Sequence, residues 1–149
     1  MSYNEKFMKR AMKLAEMAYK NDEVPVGAVI VKGDEVISYA FNKRETSFDA
    51  TAHAEILAIK KACKKLKDFR LIDCDMYVTL EPCVMCTGAI LNARLKNVYF
   101  GAYISNGSIS AEELSKKAEL NHKTNFKGGF FKKENSDLVS KYFREKRKK

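Results

Sequence analysis

One imidazole, one carboxylate and two thiols, carried on two short stretches, constrain this chain more than any other feature. The first stretch reads Thr51-Ala52-His53-Ala54-Glu55 and the second Glu81-Pro82-Cys83-Val84-Met85-Cys86. Zinc favours nitrogen and sulfur ligands in a tetrahedron, and a catalytic site leaves one of the four positions to water. His53, Cys83 and Cys86 supply three ligands and leave that position open. Two thiolates and a neutral imidazole bring the cluster close to neutrality. Zinc held this way still acidifies a water molecule, toward a pKa of roughly 7. Any fold for this chain must bring the two stretches to one point.

Local geometry follows from spacing. Cys83 and Cys86 are three apart and share one face if a helix starts at Pro82, a position where the missing proline N–H costs nothing. A helix opening also favours thiolate over thiol. His53 and Glu55 are two apart and would point to opposite sides in mid-helix. They converge only where the chain enters a helix, with Thr51 or Asp49 as the expected cap. Glu55 then sits beside the metal without binding it. There it is placed to take a proton from water and pass protons to a ring nitrogen and a departing ammonia. His-x-Glu followed by Pro-Cys-x-x-Cys is the mark of zinc-dependent nucleobase deaminases.

Two duller readings compete. Cys83-x-x-Cys86 alone is compatible with a redox pair, although such a pair has no use for His-x-Glu. His122 could close a structural Cys2His2 site, although that site gains nothing from Glu55 and the spacing from Cys86 is long for a zinc finger.

A chain of 149 residues is expected to form one domain, residues 1–149, with a real core. No apolar run is long enough to span a bilayer and no signal-peptide core is apparent, so a cytoplasmic location with no membrane partner is expected. The four cysteines then read as reduced, with Cys63 and Cys74 as small core residues. The net charge of +9 points to a polyanionic partner, and eight Lys or Arg against three acids crowd the last eighteen residues.

Hydrophobic periodicity predicts a helix over residues 3–20, with Phe7, Ala11, Leu14 and Ala18 in its stripe and Met8, Met12, Ala15 and Tyr19 alongside. A hairpin follows, strands 24–31 and 35–41 around the turn Lys32-Gly33-Asp34. Residues 42–50 read as a loop, 52–65 as a helix, 76–80 as a buried strand, 82–93 as a second helix and 97–101 as a strand. Ser110 and Glu113 suggest a capping box for a helix over 110–120. Gly128-Gly129 marks a break. A final helix over 136–146 is expected to turn Leu138, Val139, Tyr142 and Phe143 inward. This alternation predicts an α/β fold, layered around a mixed sheet.

These residues resemble the bacterial tRNA-specific adenosine deaminases, within the cytidine deaminase-like superfamily. The resemblance runs from about Met8 to Phe143. Its strongest pieces are Glu23-Val24-Pro25-Val26-Gly27-Ala28-Val29, the His53 stretch, and Tyr77-Val78-Thr79-Leu80-Glu81-Pro82-Cys83-Val84-Met85-Cys86. It implies a three-layer α/β/α, cytidine deaminase-like fold and one zinc ion per subunit on His53, Cys83 and Cys86. It also implies Glu55 as proton shuttle, and Asn42 and Val26 as residues that hold the target nucleotide. The implied activity is conversion of adenosine to inosine at the wobble position of a tRNA anticodon, typically an arginine tRNA, by a homodimer. Lys141, Arg144, Lys146 and Arg147, with Lys148 and Lys149 beyond, are then candidates for RNA phosphate contacts.

The chain departs from the family pattern after Phe100-Gly101-Ala102. The usual Arg-Asp is replaced by Tyr103-Ile104-Ser105-Asn106-Gly107, close to where relatives meet the substrate backbone, and Ala50 replaces a proline. A deaminase of a free nucleobase or nucleoside, of cytosine or guanine type, is therefore the second enzymatic reading. A non-catalytic zinc protein that binds RNA is the third.

Overall fold

The computed structural model describes residues 2–104, 109–118, 120 and 122–147. Helix α1 (Glu5–Lys20) starts where Asn4 turns its side-chain oxygen onto the Lys6 N–H, and it buries the predicted stripe except Met12 and Tyr19, which are half-buried. Strands β1 (Gly27–Lys32) and β2 (Glu35–Phe41) form the hairpin, with Gly33 in the left-handed region at φ +63°. Strand β1 starts three residues later than its apolar run, because Pro25 has no N–H for the ladder. The Val26 N–H turns back instead to the Val24 carbonyl at 2.9 Å.

Helix α2 (Ala54–Leu66) leads to β3 (Cys74–Leu80), then α3 (Val84–Ala93), β4 (Asn97–Ala102), α4 (Ala111–Lys117), β5 (Asn125–Lys127) and α5 (Lys132–Arg147). The sheet order is β2-β1-β3-β4-β5. β1 is antiparallel to both β2 and β3, whereas β3, β4 and β5 run parallel. The mixed sheet is thus as expected. β3 is buried on both faces almost throughout, which explains its unbroken apolar run.

Two cores sit on the two faces of the sheet. On one face α2 and α3 cover Ala28, Ile30, Met76, Val78, Val98 and Phe100. On the other, α1 covers Val29, Val31, Tyr77 and Tyr99. α4 packs against α3, and α5 against β4, completing the three layers. The inward face of α2 is a small-residue row, Ala54, Ala58 and Ala62, that lets the helix lie close to the sheet.

Several boundaries differ from expectation. β5 and the first turn of α5 were not anticipated, and Phe143 is exposed rather than inward. Ser110 does cap α4, accepting from the Glu113 N–H at 3.1 Å. Most of the divergent Tyr103–Gly107 stretch, and Lys148 and Lys149, lie outside the described residues. No helix among the described residues is long and apolar enough to cross a membrane.

Candidate metal centre and deaminase cavity

The carboxyl ends of β2 and β3 deliver the chain to the starts of α2 and α3, where open α/β sheets form their ligand crevices. His53 is the N-cap of α2 and Cys83 the N-cap of α3. Pro82 therefore stands one residue outside the helix rather than opening it. Neither Thr51 nor Asp49 caps α2. Asp49 instead accepts from the Thr51 N–H and hydroxyl at 2.8 and 2.7 Å, shaping the preceding turn. The α2 cap comes from further away: Asn42 Oδ1 accepts the Ala54 N–H at 2.7 Å.

His53 Nδ1 lies 3.7 Å from Cys83 Sγ and 3.5 Å from Cys86 Sγ. The three donor atoms fall within 4.8 Å of one another, a group able to hold a metal ion. One nitrogen and two sulfurs so converged suit zinc, whose bonds to them run about 2.0–2.3 Å. The thiols already favour ionisation at one position. The Cys86 S–H bond, with His53 behind it, holds the Cys83 thiol down to about 3. Cys86 is pushed far up by giving that bond, by burial and by the Glu55 charge. The Cys83 thiolate in turn raises His53. A divalent cation would replace the proton retained at Cys86, so metal uptake and proton release are coupled.

Glu55 follows in the first turn of α2, only 4% exposed. Burial pushes its carboxyl up to about 7, partly opposed by the backbone N–H bond and by His53. It is no member of the donor group. His122 is not one either: its Nε2 sits 2.8 Å from the Leu95 carbonyl oxygen and 3.2 Å from Thr124 Oγ1, beyond the opposite end of β4. The closed Cys2His2 alternative is thereby excluded.

A cavity of about 200 Å³ opens onto this group. His53, Glu55 and Cys83 form its floor, and Val26, Asn42 and Leu80 are among its walls. Because Asn42 Oδ1 is committed to the α2 cap, its Nδ2 is the group it can offer a ligand. Arg44, Ile104 and Phe143 also line the cavity. Phe143 arrives from α5, which is tied down by Tyr142 donating to the Asp22 carbonyl at 3.2 Å and by Lys146 paired with Asp22 at 2.9 Å. Lys141 lies over the Tyr19 ring at 5.1 Å, while Arg144 and Arg147 are exposed.

Two buried carboxylates brace the loops at this cavity. Glu23 accepts the Glu45 and Thr46 N–H groups at 2.9 and 2.6 Å, fixing the turn that carries Arg44. Glu81 accepts the Ile104 and Ala111 N–H groups, both at 3.0 Å, pinning the divergent segment on either side. Sequence reasoning passed over Glu23, Glu81, Arg44 and Phe143. Glu81 stands beside Pro82 at the end of an apolar strand, and a lone charge there is the available signal, whereas Glu23 follows Asp22 and offers no such local mark.

A metal-capable His-Cys-Cys group at two helix starts beside a buried glutamate places the molecule among the zinc-site deaminases. The family model for the cytidine and deoxycytidylate deaminase zinc-binding region accordingly matches residues 1–102. The tRNA-specific adenosine deaminase of Bacillus subtilis (strain 168) is 42% identical over 151 residues, spanning 100% of this chain and 94% of its own. A structure from studies of A-to-I editing by tRNA:A34 deaminases at the wobble position of transfer RNA superposes with a TM-score of 0.85 at 37% identity, covering 91% of this chain and 99% of that one. A Bacillus subtilis guanine deaminase gives a TM-score of 0.65 at 46% identity, covering 68% of this chain and 66% of that one. The chain belongs to the tRNA-specific adenosine deaminase family.

Proposed function

We propose that this chain hydrolyses adenosine to inosine at the wobble position of a tRNA anticodon, as one zinc-dependent deaminase domain spanning residues 1–149. The observation that carries the reading is Glu55, a buried carboxylate beside the donor group and facing a cavity with one amide, Asn42, to hold a base. His53, Cys83 and Cys86 would hold the zinc, which supplies an acidified water when bound. Glu55, with its carboxyl near neutrality, accepts a proton at a carboxylate oxygen. It delivers that proton to the purine ring nitrogen, then takes a second from the hydroxyl added to the ring and passes it to the amine, which leaves as ammonia. Asn42 Nδ2 donates to the bound nucleotide, and Val26 packs against the ring.

A cavity of this size admits a single flipped base rather than a stack, and anticodon bases are unpaired to begin with. The RNA backbone would meet Lys141, Arg144, Lys146 and Arg147 along α5. We take an arginine tRNA as substrate, a homodimer as the working form and the cytoplasm as the compartment. Val84 and Met85, exposed at the start of α3 beside the ligands, support a covered face there. The guanine deaminase likeness keeps a free purine as the competing substrate.

Incubation with an adenosine-34 anticodon stem-loop should give inosine, whereas free adenosine and guanine should turn over poorly. The reverse preference would replace this reading by the small-substrate one. Glu55→Ala should keep its zinc and its fold and lose about 10²–10⁴ in kcat. Loss of zinc in that variant would argue that Glu55 supports the metal instead.

A further inference from the structure

The chain segment that walls the cavity has a second side. A groove of about 450 Å³ runs between α1 and the edge strand β2, lined by Arg10, Lys13, Tyr39, Phe41, Lys43 and Lys61 among others, and by no carboxylate. None of these four cations lies within ion-pair distance of an acid among the described residues. The α5 cations Lys133 and Lys146, by contrast, are paired with Asp137 and Asp22. Arg10, Lys43 and Lys61 lie against aromatic rings, and Lys61 Nζ also donates to the Tyr39 carbonyl oxygen at 3.1 Å. The Arg10 guanidinium lies 4.7 Å and Lys61 Nζ 5.8 Å from the Tyr39 ring centroid, and Lys43 Nζ lies 5.2 Å from that of Phe41. Tyr39 itself is 48% exposed.

Tyr39, Phe41 and Lys43 face the groove, whereas Asn42 and Arg44 line the cavity. One short segment therefore presents alternate residues to two sites. A polymer with one unit in the cavity and its neighbours crossing this segment meets unpaired cations and an open aromatic ring on the far side. Phosphodiester oxygens suit the former and an unstacked base suits the latter. An acidic peptide would satisfy the charges and leave the Tyr39 ring unused.

We propose that this groove binds the RNA strand flanking the nucleotide held in the cavity, with Arg10, Lys13, Lys43 and Lys61 on phosphates and Tyr39 as a stacking surface. The proposal rests on the RNA substrate reading above and extends the RNA footprint well beyond α5.

The test is binding of a fluorescein-labelled anticodon stem-loop by the zinc-loaded protein across a salt series, followed by anisotropy. Arg10→Glu/Lys13→Glu should weaken binding about tenfold and make the slope of log K against log salt shallower by about 1.4, roughly 0.7 per single-strand phosphate contact. Arg10→Ala/Lys13→Ala, a milder change at exposed positions, should shift both in the same direction. Lys60→Glu/Lys64→Glu, an equal reversal on the outer face of α2, should change affinity less than threefold. Polyuridylate should displace the stem-loop far better than polyglutamate of equal charge. Unchanged affinity and slope in both groove variants would overturn the proposal. So would an equal loss in the Lys60/Lys64 control, or polyglutamate competing as well as polyuridylate. Groove-dependent binding by a parent that forms no inosine would sink the wobble-deaminase reading and leave this one standing. Inosine formation with groove-independent binding would do the opposite.

Discussion

Glu81 and Glu23 illustrate how much of the site is built by carboxylates committed to holding backbone in place. Each carboxylate is buried and spends both oxygens on backbone N–H groups of a loop at the cavity. Glu81→Gln keeps the shape but turns an NH2 toward one of the two N–H donors, leaving a buried donor unsatisfied at a cost of roughly 1–3 kcal/mol. That cost falls on the segment holding Ile104 against the cavity, so loop opening should rise by roughly five- to 150-fold. The expected outcome is a stem-loop KM raised about tenfold, with zinc content and kcat near those of the parent; loss of zinc would show that Glu81 supports the metal helix instead. At this scale the ligands were legible, because few residue types bind zinc and their spacing is tight. The caps were not. Asn42 reaches Ala54 across twelve positions, a contact no local rule anticipates, and the nearer candidates Thr51 and Asp49 satisfy each other instead.

Elements with strong periodicity were readable and those without it were not. α1 carries a full apolar stripe and β2 begins and ends where its pattern does. β5 is three residues, exposed at both ends, and exists because it pairs with β4 in parallel register from Asn97↔Asn125 to Tyr99↔Lys127, a tertiary cause. Phe143 lies on the helix face predicted to be inward, yet that side of α5 ends over the cavity rather than over the core. The contact between α1 and β1 offers a sharper test. A Cβ added at Gly27 would stand 2.1 Å from the Ala11 carbonyl oxygen and 2.7 Å from Leu14 Cβ. Both belong to a helix braced along its whole length, so neither yields cheaply. Gly27→Ala should cost roughly 3 kcal/mol, the upper end for overpacking, and lower Tm by about 10 °C in a calorimetric scan. A change below 2 °C would mean that α1 slides freely on the sheet.

Tyr77 ties the layers together and makes the stability of the whole molecule depend on alkaline pH. It lies fully buried in the middle of the sheet, its ring 5.4 Å from Phe7 and 5.0 Å from Tyr99, and its hydroxyl oxygen accepts the Asn4 N–H at 2.8 Å just before α1. Burial, the main cause, pushes its phenol up to about 12, against an ordinary value of 10.0. The neutral phenol is therefore favoured by folding. Below pH 10 both states keep the proton and the contribution is fully present. Between about pH 10 and 12 the unfolded chain releases it while the native chain retains it, so the unfolded state binds fewer protons and stability falls as pH rises. Two units correspond to about 3 kcal/mol, gone once pH passes the folded value. Urea titrations at pH 9 and at pH 11.5 should show this loss, and Tyr77→Phe, which has no proton to release, should lose measurably less over the same interval. Equal pH dependence in the two proteins would assign the alkaline transition to the lysines, whose net excess this chain carries on its surface, instead of to the tyrosine at its centre.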